Sequence, residues 1–324
     1  MRTERGEPGN PPAASRVCGI VVSFRPSEVD FERTLRAALP QVDGLVVVDN
    51  SPEPAAQAQV VRLVERVAPA AGGPTPMVLT VGENSGLSCG LNSGIRRAVE
   101  AGFSLFLLLD QDSVLAPGAV TTLKEEYARR GRKDRLFLLA AQNEVPNPTP
   151  LGRLLDSFFH RYRSTDGDSH PSPTAITSGL LVDERVLGRA GLFDESLFLD
   201  SADTEFSLRV RRFGTRIYVV PRARVHHVLG EVEGHRSTVL GNPLRYRNES
   251  RLYYGTRDSL RTASRYSTTH PVLSAGLVAV ALARLGAYRL AGPEYRGVYL
   301  AARRGWVHFL TMPDRPRVPP FSPG

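Results

Sequence analysis

The chain has 324 residues and a hydrophobic fraction of 41%, enough to bury a substantial core in one large domain or two modest ones. Its formal net charge of +8 favours anionic partners, such as nucleotide phosphates or an acidic membrane surface, but does not choose among them. Only two cysteines are present and residues 1–15 contain no apolar core segment, which excludes a disulfide framework and a signal peptide and indicates a cytoplasmic protein.

Apolar runs alternate with helix-like segments after an N-terminal tail, residues 1–15, whose proline, glycine and charge content predicts disorder. The runs are continuous, as is typical of strands covered on both faces, and comprise residues 17–24, 45–48, 77–81, 105–109 and 136–141. Apolar residues at three- and four-residue spacing predict helices over residues 28–39, 55–67, 87–101 and 119–130. This order predicts an α/β fold with a Rossmann-like, mainly parallel, doubly wound sheet and helices on both faces.

The second half of the chain differs from the first in amino-acid composition. Proline, asparagine, aspartate and serine dominate residues 143–172, which predicts a long excursion over the active face before strand-like runs resume at 175–182 and 217–220. After the N-terminal tail we predict a main α/β domain at residues 16–230 and a mobile arginine-rich loop at residues 231–251. A C-terminal helical region follows at residues 252–312, and a disordered proline-rich tail at residues 313–324.

The C-terminal helical region has two interpretations. Residues 272–285 form the most apolar stretch, but Arg284 interrupts it and it is too short to span a bilayer. Residues 272–306 mix leucine, valine and alanine with five arginines, and such a basic amphipathic surface can rest on an anionic membrane, here the inner face of the cell membrane. The alternative is packing against the main domain or against the partner of a homodimer.

Polar side chains follow three of the predicted strands: Asp49-Asn50-Ser51, Asn84-Ser85-Gly86 and Asp110-Gln111-Asp112-Ser113. Ligands of open α/β sheets bind beyond the carboxyl ends of the strands, so these groups are expected at one edge. Two close carboxylates at the rim of an apolar sheet repel each other unless a cation neutralises them, so Asp110 and Asp112 predict a metal–diphosphate site. The alternative is a strand-end turn in which Asp112 caps the next helix.

Two further positions each have a functional and a structural interpretation. Asp49 can accept hydrogen bonds from a nucleobase or ribose, or it can form a turn before Asn50. His226 and His227 follow the last predicted strand. Because neighbouring side chains of an extended segment point in opposite directions, at most one of these histidines is expected to face a metal.

A second acidic cluster lies within residues 193–209. If a helix begins near Asp203, Glu205 and Arg209 are four residues apart and can form an ion pair. Asp203 then lies in the first turn, where its carboxylate can act as a general base toward an acceptor hydroxyl. The alternative is that Asp200 or Asp203 only caps the helix.

Taken in this order, the motifs resemble the inverting GT-A glycosyltransferases of family 2 over residues 17–230. The rhamnosyltransferase branch is most similar, through residues 108–113, 177–179, 193–209 and 227–230. The resemblance implies a nucleoside diphosphate sugar donor, with dTDP-rhamnose favoured by Gln111 and Ser113 and a UDP-linked sugar as the alternative. It also implies Mg²⁺ or Mn²⁺ as cofactor and a glycan, lipid-linked or small natural-product acceptor.

The roles of the family's site residues can be assigned to residues of this chain at matching positions of the motifs. The resemblance implies that Asp49 contacts the nucleobase and that Asn84 lines the nucleotide pocket. It also implies that Asp110 lies beside the ribose and the metal and that Asp112 binds the metal directly. His227, rather than His226, corresponds to the metal-binding histidine because of its spacing to Gly230.

In the part of the site that would bind the acceptor, Asp203 corresponds to the catalytic base of the family. Glu205 and Arg209 correspond to residues that support this base. Asp200 departs from the family pattern, in which many relatives carry an aromatic or neutral residue, and is therefore a competing candidate for the base. The arginines of residues 245–257 match only loosely and receive no assignment. The implied reaction is direct displacement with inversion.

Three rival interpretations are weaker. A nucleotidyltransferase usually has a glycine-rich basic loop after its first strand, where this chain has Ser23-Phe24-Arg25-Pro26. A catalytically silent sugar- or membrane-binding protein has no need of the two acidic clusters. Binding of nucleic acid rests on net charge alone, without a recognised motif, and is not expected.

Overall fold

The computed structural model describes residues 16–134, 136–144, 167–227 and 248–323. Within these residues nine strands form one sheet. They are β1 (Val17–Ser23), β2 (Gly44–Asp49), β3 (Met77–Thr80), β4 (Leu105–Asp110), β5 (Ser113–Leu115), β6 (Phe137–Glu144), β7 (His170–Pro171), β8 (Leu180–Asp183) and β9 (Arg216–His227).

The α-helices of the described residues follow the strands in the predicted alternation and then continue alone to the C-terminal region. They are α1 (Glu28–Ala38), α2 (Pro54–Ala71), α3 (Leu87–Glu100), α4 (Ala119–Gly131), α5 (Glu184–Ala190), α6 (Ala202–Arg212), α7 (Glu249–Tyr266), α8 (Pro271–Leu290) and α9 (Arg296–Thr311).

The strand order is β3-β2-β1-β4-β8-β6-β9-β5, with β7 paired to β9. The first four strands in this order are mutually parallel. The remainder is mixed, because β8 runs antiparallel to both β4 and β6. The predicted strand over residues 175–182 is shortened to β8: Leu180 donates a backbone hydrogen bond to the Thr177 carbonyl, which closes a turn before the strand begins.

Alternate residues of the central strands enter two separate cores. Val21 and Leu107 face a core shared with α1, α2 and α4, whereas Ile20 and Leu108 face a core shared with α3, α5 and α6. Strands buried on both faces require continuous apolar runs, and that explains why these segments do not alternate with polar residues. The predicted doubly wound arrangement is confirmed.

Helix α3 approaches the sheet unusually closely. A Cβ atom added to Gly94 would lie 2.4 Å from Ile20 Cγ2, and one added to Gly90 would lie 2.7 Å from Val22 Cγ1. Glycines four residues apart lie on one face of a helix, so this face is flat enough to rest directly on β1. The approach brings the N-terminus of α3 to the edge of the sheet where β1, β2 and β4 end.

The three C-terminal helices share a small core of their own, made by Leu252, Tyr288, Tyr295, Val298 and Ala302. Residues 228–247, most of the predicted mobile loop, lie outside the described residues, as do residues 1–15. Residues 249–251, assigned to that loop from sequence, form the first turn of α7. Asn248 caps this turn by accepting a hydrogen bond from the Arg251 N–H at 3.1 Å.

The proline-rich segment after α9 differs from the predicted disordered tail. It returns to the main domain, where the Pro319 carbonyl accepts a hydrogen bond from the Leu192 N–H at 3.0 Å. The Arg317 N–H donates to Asp194 Oδ1 at 2.8 Å, and Phe321 packs against the core that contains α3. Prolines fix an extended backbone in advance, so docking such a segment costs little conformational entropy.

Candidate active site

The polar ends of β1, β2 and β4 meet at one edge of the sheet. In the strand register Ser23 pairs with Asp49 on one side of β1, and Val22 pairs with Asp110 on the other. The two aspartates are therefore about two strand spacings apart, roughly 10 Å. The sequence placed both residues at strand ends, and the parallel register brings them to the same edge.

Asp49 is fully buried and is held by its neighbours through one oxygen. Its Oδ1 accepts hydrogen bonds from the Ser51 N–H at 3.1 Å and from the Ser51 and Ser23 hydroxyls at 2.7 and 3.2 Å. Its Oδ2 is buried and accepts no hydrogen bond from the described residues. An unsatisfied buried carboxylate oxygen is costly, so Oδ2 is an acceptor for which the described residues supply no donor.

The loop between β3 and α3 is tied to the end of β2. Asn50 donates through Nδ2 to the Gly86 carbonyl at 2.9 Å and accepts a hydrogen bond from the Ser85 hydroxyl at 3.3 Å. Asn84 is exposed at this edge and accepts a hydrogen bond from the Gly86 N–H at 3.3 Å. Asn84 thus lies beside the loop of Asp49, where the sequence interpretation expected it.

Gln111 braces the turn that carries the two aspartates. Its side-chain oxygen accepts a hydrogen bond from the Phe24 N–H at 2.7 Å, and its carbonyl accepts one from the Thr34 hydroxyl at 3.0 Å. Asp110 and Asp112, on either side of it, are half-buried. The turn is therefore fixed to β1 and α1, which positions both carboxylates at the sheet edge.

The next residue, Ser113, starts β5 and forms a hydroxyl–hydroxyl hydrogen bond with Ser178. The antiparallel register of β5 and β9 pairs Ser113 with His227 and Val114 with His226. The backbone of His227 consequently lies directly across from the residue that follows Asp112. Its side chain lies outside the described part of the structure.

Asp203 lies in the first turn of α6, as predicted, and is half-buried. Its Oδ1 accepts a hydrogen bond from the Thr204 N–H at 2.6 Å. Burial raises the pKa of its carboxyl to about 6, against the Thr204 hydrogen bond, and the negative charges of Asp200 and Asp110 act in the same direction as burial. The two acidic clusters, distant in sequence, are therefore close enough to interact electrostatically.

Asp200 differs from Asp203 in its surroundings. Its Oδ1 lies 3.7 Å from Arg251 Nε, within an ion pair. Its Oδ2 occupies the space beside Gly255, where an added Cβ would be 2.5 Å away. Asp200 therefore has a cationic partner from α7.

Glu205 and Arg209 form the predicted i,i+4 ion pair, with Arg209 Nε 2.9 Å from Glu205 Oε1. Both side chains are buried. Arg209 also donates to the Leu192 carbonyl at 2.8 Å, and the Tyr266 hydroxyl of α7 donates to Glu205 Oε1 at 2.9 Å. The pair fixes α6 against its surroundings and hence fixes the first turn that holds Asp203.

Sequence reasoning missed the contribution of α7 to this site. Asp258 Oδ2 accepts a hydrogen bond from the Phe198 N–H at 3.0 Å, and Arg257 donates to the Ser196 carbonyl at 3.2 Å. The rings of Tyr254 and Phe198 stack with centroids 4.1 Å apart. We name residues 193–201, which these contacts hold, the acidic loop. The sequence signal was the mixture of aromatic and charged residues in α7, which a solvated helix can also show.

Two further polar residues lie at the end of β6, beyond the predicted strand, and the second of them, Asn143, was assigned to a loop from sequence. Gln142 and Asn143 are buried, and Gln142 Oε1 and Asn143 Oδ1 accept no hydrogen bond from the described residues. Asn143 Nδ2 lies 3.4 Å from the Ser178 carbonyl, beside the hydroxyl that bonds Ser113. The pair therefore lines the same edge, on the far side of Asp112.

The donor set at this edge fits a hard divalent cation. Asp110 and Asp112 supply carboxylate oxygens of the kind that Mg²⁺ and Mn²⁺ take. The raised pKa of Asp203, to which the charges of Asp200 and Asp110 contribute, indicates negative charge that a cation would compensate. No complete cluster of three His, Cys, Asp or Glu ligands occurs within the described residues, so the site formed by Asp110, Asp112 and His227 stays a prediction.

Comparisons with known proteins agree on the fold. No protein-family model matches the chain. In sequence it is similar to the dTDP-rhamnosyl transferase RfbF of Shigella flexneri, at 22% identity over 257 residues that cover 76% of this chain and 79% of that protein.

Two solved structures are similar in fold. GalNAc-T7 with UDP, GalNAc and Mn²⁺ has a TM-score of 0.57 at 14% identity, covering 92% of this chain but only 56% of the longer relative. The mannosyltransferase PcManGT of Pyrobaculum calidifontis, in complex with GDP-Man and Mn²⁺, has a TM-score of 0.54 at 14% identity, covering 94% of this chain and 89% of that one.

Proposed function

We propose that this chain, which has the GT-A glycosyltransferase fold, transfers a sugar from a nucleoside diphosphate to an acceptor hydroxyl with inversion at the anomeric carbon. The observation that carries the proposal is the strand register, which brings Asp49 and Asp110 to one edge of the sheet. The negative charge of Asp110 also helps to raise the pKa of Asp203, the candidate proton acceptor. The similarity to RfbF favours dTDP-rhamnose as the donor, with a UDP-linked sugar as the alternative.

The nucleotide half of the site is assigned to Asp49, Asn84 and Asp110. The buried Oδ2 of Asp49 is an acceptor for an N–H of the nucleobase, and thymine, uracil and guanine all offer one. Asn84 lines the entrance beside it, and Asp110 faces the ribose. A buried carboxylate oxygen that otherwise lacks a hydrogen-bond donor strongly favours a nucleobase that supplies an N–H over one that does not.

Asp110, Asp112 and His227 would hold Mg²⁺ or Mn²⁺ in this proposal. The presence of Mn²⁺ in both similar structures supports this assignment. When bound, the cation would stabilise the negative charge of the departing nucleoside diphosphate. The chain's own contribution is the turn braced by Gln111, which keeps the two aspartates in place before the donor arrives.

Asp203 is the proposed general base. The acceptor oxygen forms a bond to the anomeric carbon while the bond from that carbon to the diphosphate oxygen breaks, and the hydroxyl proton passes to the Asp203 carboxylate. A pKa of about 6 leaves Asp203 mostly ionised at neutral pH while making it more basic than an ordinary aspartate. Its fixed position in α6 supplies orientation, which contributes much of the rate in such displacements.

Activity as a nucleotidyltransferase fits these residues poorly. The Phe24 N–H after β1 donates to Gln111, and the Arg25 N–H donates to the Ser51 hydroxyl at 2.9 Å. Backbone N–H groups that already have protein acceptors cannot cradle a triphosphate. The strand-end residues therefore favour sugar transfer over nucleotide transfer.

The decisive experiment is a screen of nucleotide sugars for metal-dependent donor hydrolysis with the full-length chain. dTDP-rhamnose, UDP-glucose, UDP-N-acetylglucosamine and GDP-mannose are incubated with Mn²⁺, Mg²⁺ or EDTA, and the released diphosphate is quantified. We expect release of dTDP from dTDP-rhamnose with a cation and none with EDTA. Absence of hydrolysis and of binding for every donor would reject the proposal, and release of pyrophosphate from dTTP with a sugar phosphate would indicate the rival activity.

A further inference from the structure

Helix α8 leaves an apolar face uncovered. The helix has 20 residues, and an 18-residue window within it has a mean hydropathy of 1.5, so it is long and apolar enough by length and composition to cross a membrane. It extends beyond the shorter stretch recognised from sequence. Its exposed positions recur at helical spacing and include Val272, Ala275, Ala279, Leu282, Ala283 and Leu290. Val272 is 65% exposed, Leu282 49% and Leu290 85%.

The opposite face of α8 is packed. Its buried residues, Ser274, Ala281 and Tyr288, are seven positions apart and hence lie along one side of the helix. Tyr288 belongs to the small core that α8 shares with α7 and α9. One side of α8 is therefore fixed to the protein, which favours a helix that lies along a surface rather than one that crosses a bilayer alone.

Helix α9 packs beside α8 through their shared core and the contact of Arg289 with the Tyr299 ring, and it also exposes a mixed face. Leu300, Val307 and Leu310 are exposed, and Arg296, Arg303 and Arg304 are exposed among them. Arg304 also lies 3.5 Å from Glu249 of α7. We name the exposed residues of α8 and α9 the α8–α9 surface.

The exposed apolar residues are concentrated here. Nine large hydrophobic residues are exposed within the described part of the chain, and seven of them fall in residues 272–312, the other two being Val29 and Phe213. Scattered exposed hydrophobics are normal, but a cluster of this kind marks an interaction surface. Its charge is one-sided, since residues 271–311 contain five arginines and a single acidic residue, Glu294.

We propose that the α8–α9 surface binds the face of a lipid bilayer that contains anionic lipid, with α8 parallel to the membrane. Apolar side chains enter the acyl boundary, and arginines meet the headgroup phosphates. The charge selects this occupant over a second copy of the chain, because self-association through this surface would bring the same arginines together. The length of α8, about 30 Å, provides an extended line of contact.

The test is vesicle flotation of the full-length chain. We expect it to float with vesicles of phosphatidylglycerol and phosphatidylcholine, to float at least tenfold less with phosphatidylcholine alone, and to be released by 0.5 M salt or by alkaline carbonate. The double variant Leu282→Glu/Leu290→Glu should lose at least tenfold in binding. The matched double variant Val29→Glu/Phe213→Glu, which changes the two exposed hydrophobics outside residues 272–312, should bind as the unaltered chain does.

Three results would overturn the proposal: equal flotation with both lipid compositions, undiminished flotation of the Leu282→Glu/Leu290→Glu variant, or retention in membranes after carbonate extraction. A dimer that this variant separates into monomers, without losing flotation, would assign the surface to a second copy instead. Donor hydrolysis in solution should be unchanged in both double variants. Failure of membrane binding is therefore distinguishable from failure of the proposed glycosyltransferase activity.

Discussion

Asp258 of α7 accepts a hydrogen bond from the backbone N–H of Phe198 at 3.0 Å and thereby joins the C-terminal helices to the acidic loop. Asp258 is fully buried, and burial raises the pKa of its carboxyl to about 6 despite the opposing charge of Arg257. Arg265 of the same helix pairs with Asp194 at 2.6 Å. Since Asp200 lies in this loop and Asp203 follows it directly, α7 is part of the candidate active site.

Removal of the Asp258 contact should disturb transfer more than nucleotide binding. Asp258→Ala leaves the Phe198 N–H without its acceptor and Arg257 without its counter-charge, and loss of one partner of a buried pair costs about 3–5 kcal/mol. We expect a lower melting temperature and at least a tenfold loss of transfer, with dTDP affinity changed less than threefold in calorimetry. Asp258→Asn keeps an acceptor oxygen and should be milder. Glu249→Ala, at an exposed position of the same helix, is the matched control, and equal effects of Glu249→Ala and Asp258→Ala would contradict the assignment.

The pH dependence of transfer should reflect Asp203. A general base acts only when ionised, so the rate should fall about tenfold for each pH unit below the pKa of about 6. Asp203→Asn should lower the rate at least a thousandfold and still bind dTDP. Because Asp258 has a pKa in the same range, Asp258→Asn is the control, and it should keep the pH profile of the unaltered chain. A profile that follows Asp258 instead would reassign the titration.

Asp203→Asn should also stabilise the metal-free protein. The folded-state pKa is raised, so the folded state binds the proton more tightly than the unfolded chain, and ionisation of Asp203 costs stability. This cost is absent below about pH 4, grows as the pH rises to about 6 and is constant above it. We expect a gain of about 1–3 kcal/mol at pH 7 and none at pH 3.5, measured by denaturant unfolding in EDTA. A loss of stability at pH 7 would contradict this picture.

Metal-dependent nucleotide binding should require Asp112. Asp112→Ala removes a carboxylate from the proposed cation site, so titration of dTDP in the presence of Mn²⁺ should show at least a hundredfold weaker binding. Binding in EDTA should be weak in both proteins and similar. Glu100→Ala, an exposed carboxylate on α3, is the control for a general loss of negative charge. Unchanged Mn²⁺-dependent affinity in Asp112→Ala would exclude a metal role for this residue.

Asp49 should determine affinity for the base. Asp49→Asn is nearly isosteric but lacks the carboxylate charge, so the acceptor available to a base N–H at Oδ2 is weakened or replaced by a donor. We expect a loss of about 1–3 kcal/mol in dTDP binding. Ser51→Ala removes one donor to Oδ1 and the acceptor of the Arg25 N–H but leaves Oδ2 unchanged, so it should cost less. An affinity for thymidine nucleotides that is equal in Asp49→Asn and the unaltered chain would place the base elsewhere.

Much of this fold follows from local properties of the sequence. The continuous apolar runs 45–48 and 105–109 identified two buried strands, and Asp49 and Asp110, which follow them, identified their polar ends. The i,i+4 spacing of Glu205 and Arg209 predicted their ion pair, which is present in α6. These features are determined by sequence because strand burial, helix periodicity and side-chain neighbours in a helix depend on residues a few positions apart.

Tertiary structure alone decided which distant residues meet. The contact between Asp258 and Phe198 spans 60 residues, and the tail bearing Arg317 returns to Asp194 across 123. The sequence of a charged helix face such as that of α7 does not distinguish a solvated face from a buried one. Burial of the charges depends on ion-pair and hydrogen-bond partners that lie elsewhere in the chain. The place of the Asp110-Gln111-Asp112 motif at a strand end follows from the sequence. Only packing decided that Gln111 accepts a hydrogen bond from the Phe24 N–H and that burial and the charge of Asp110 raise the pKa of Asp203.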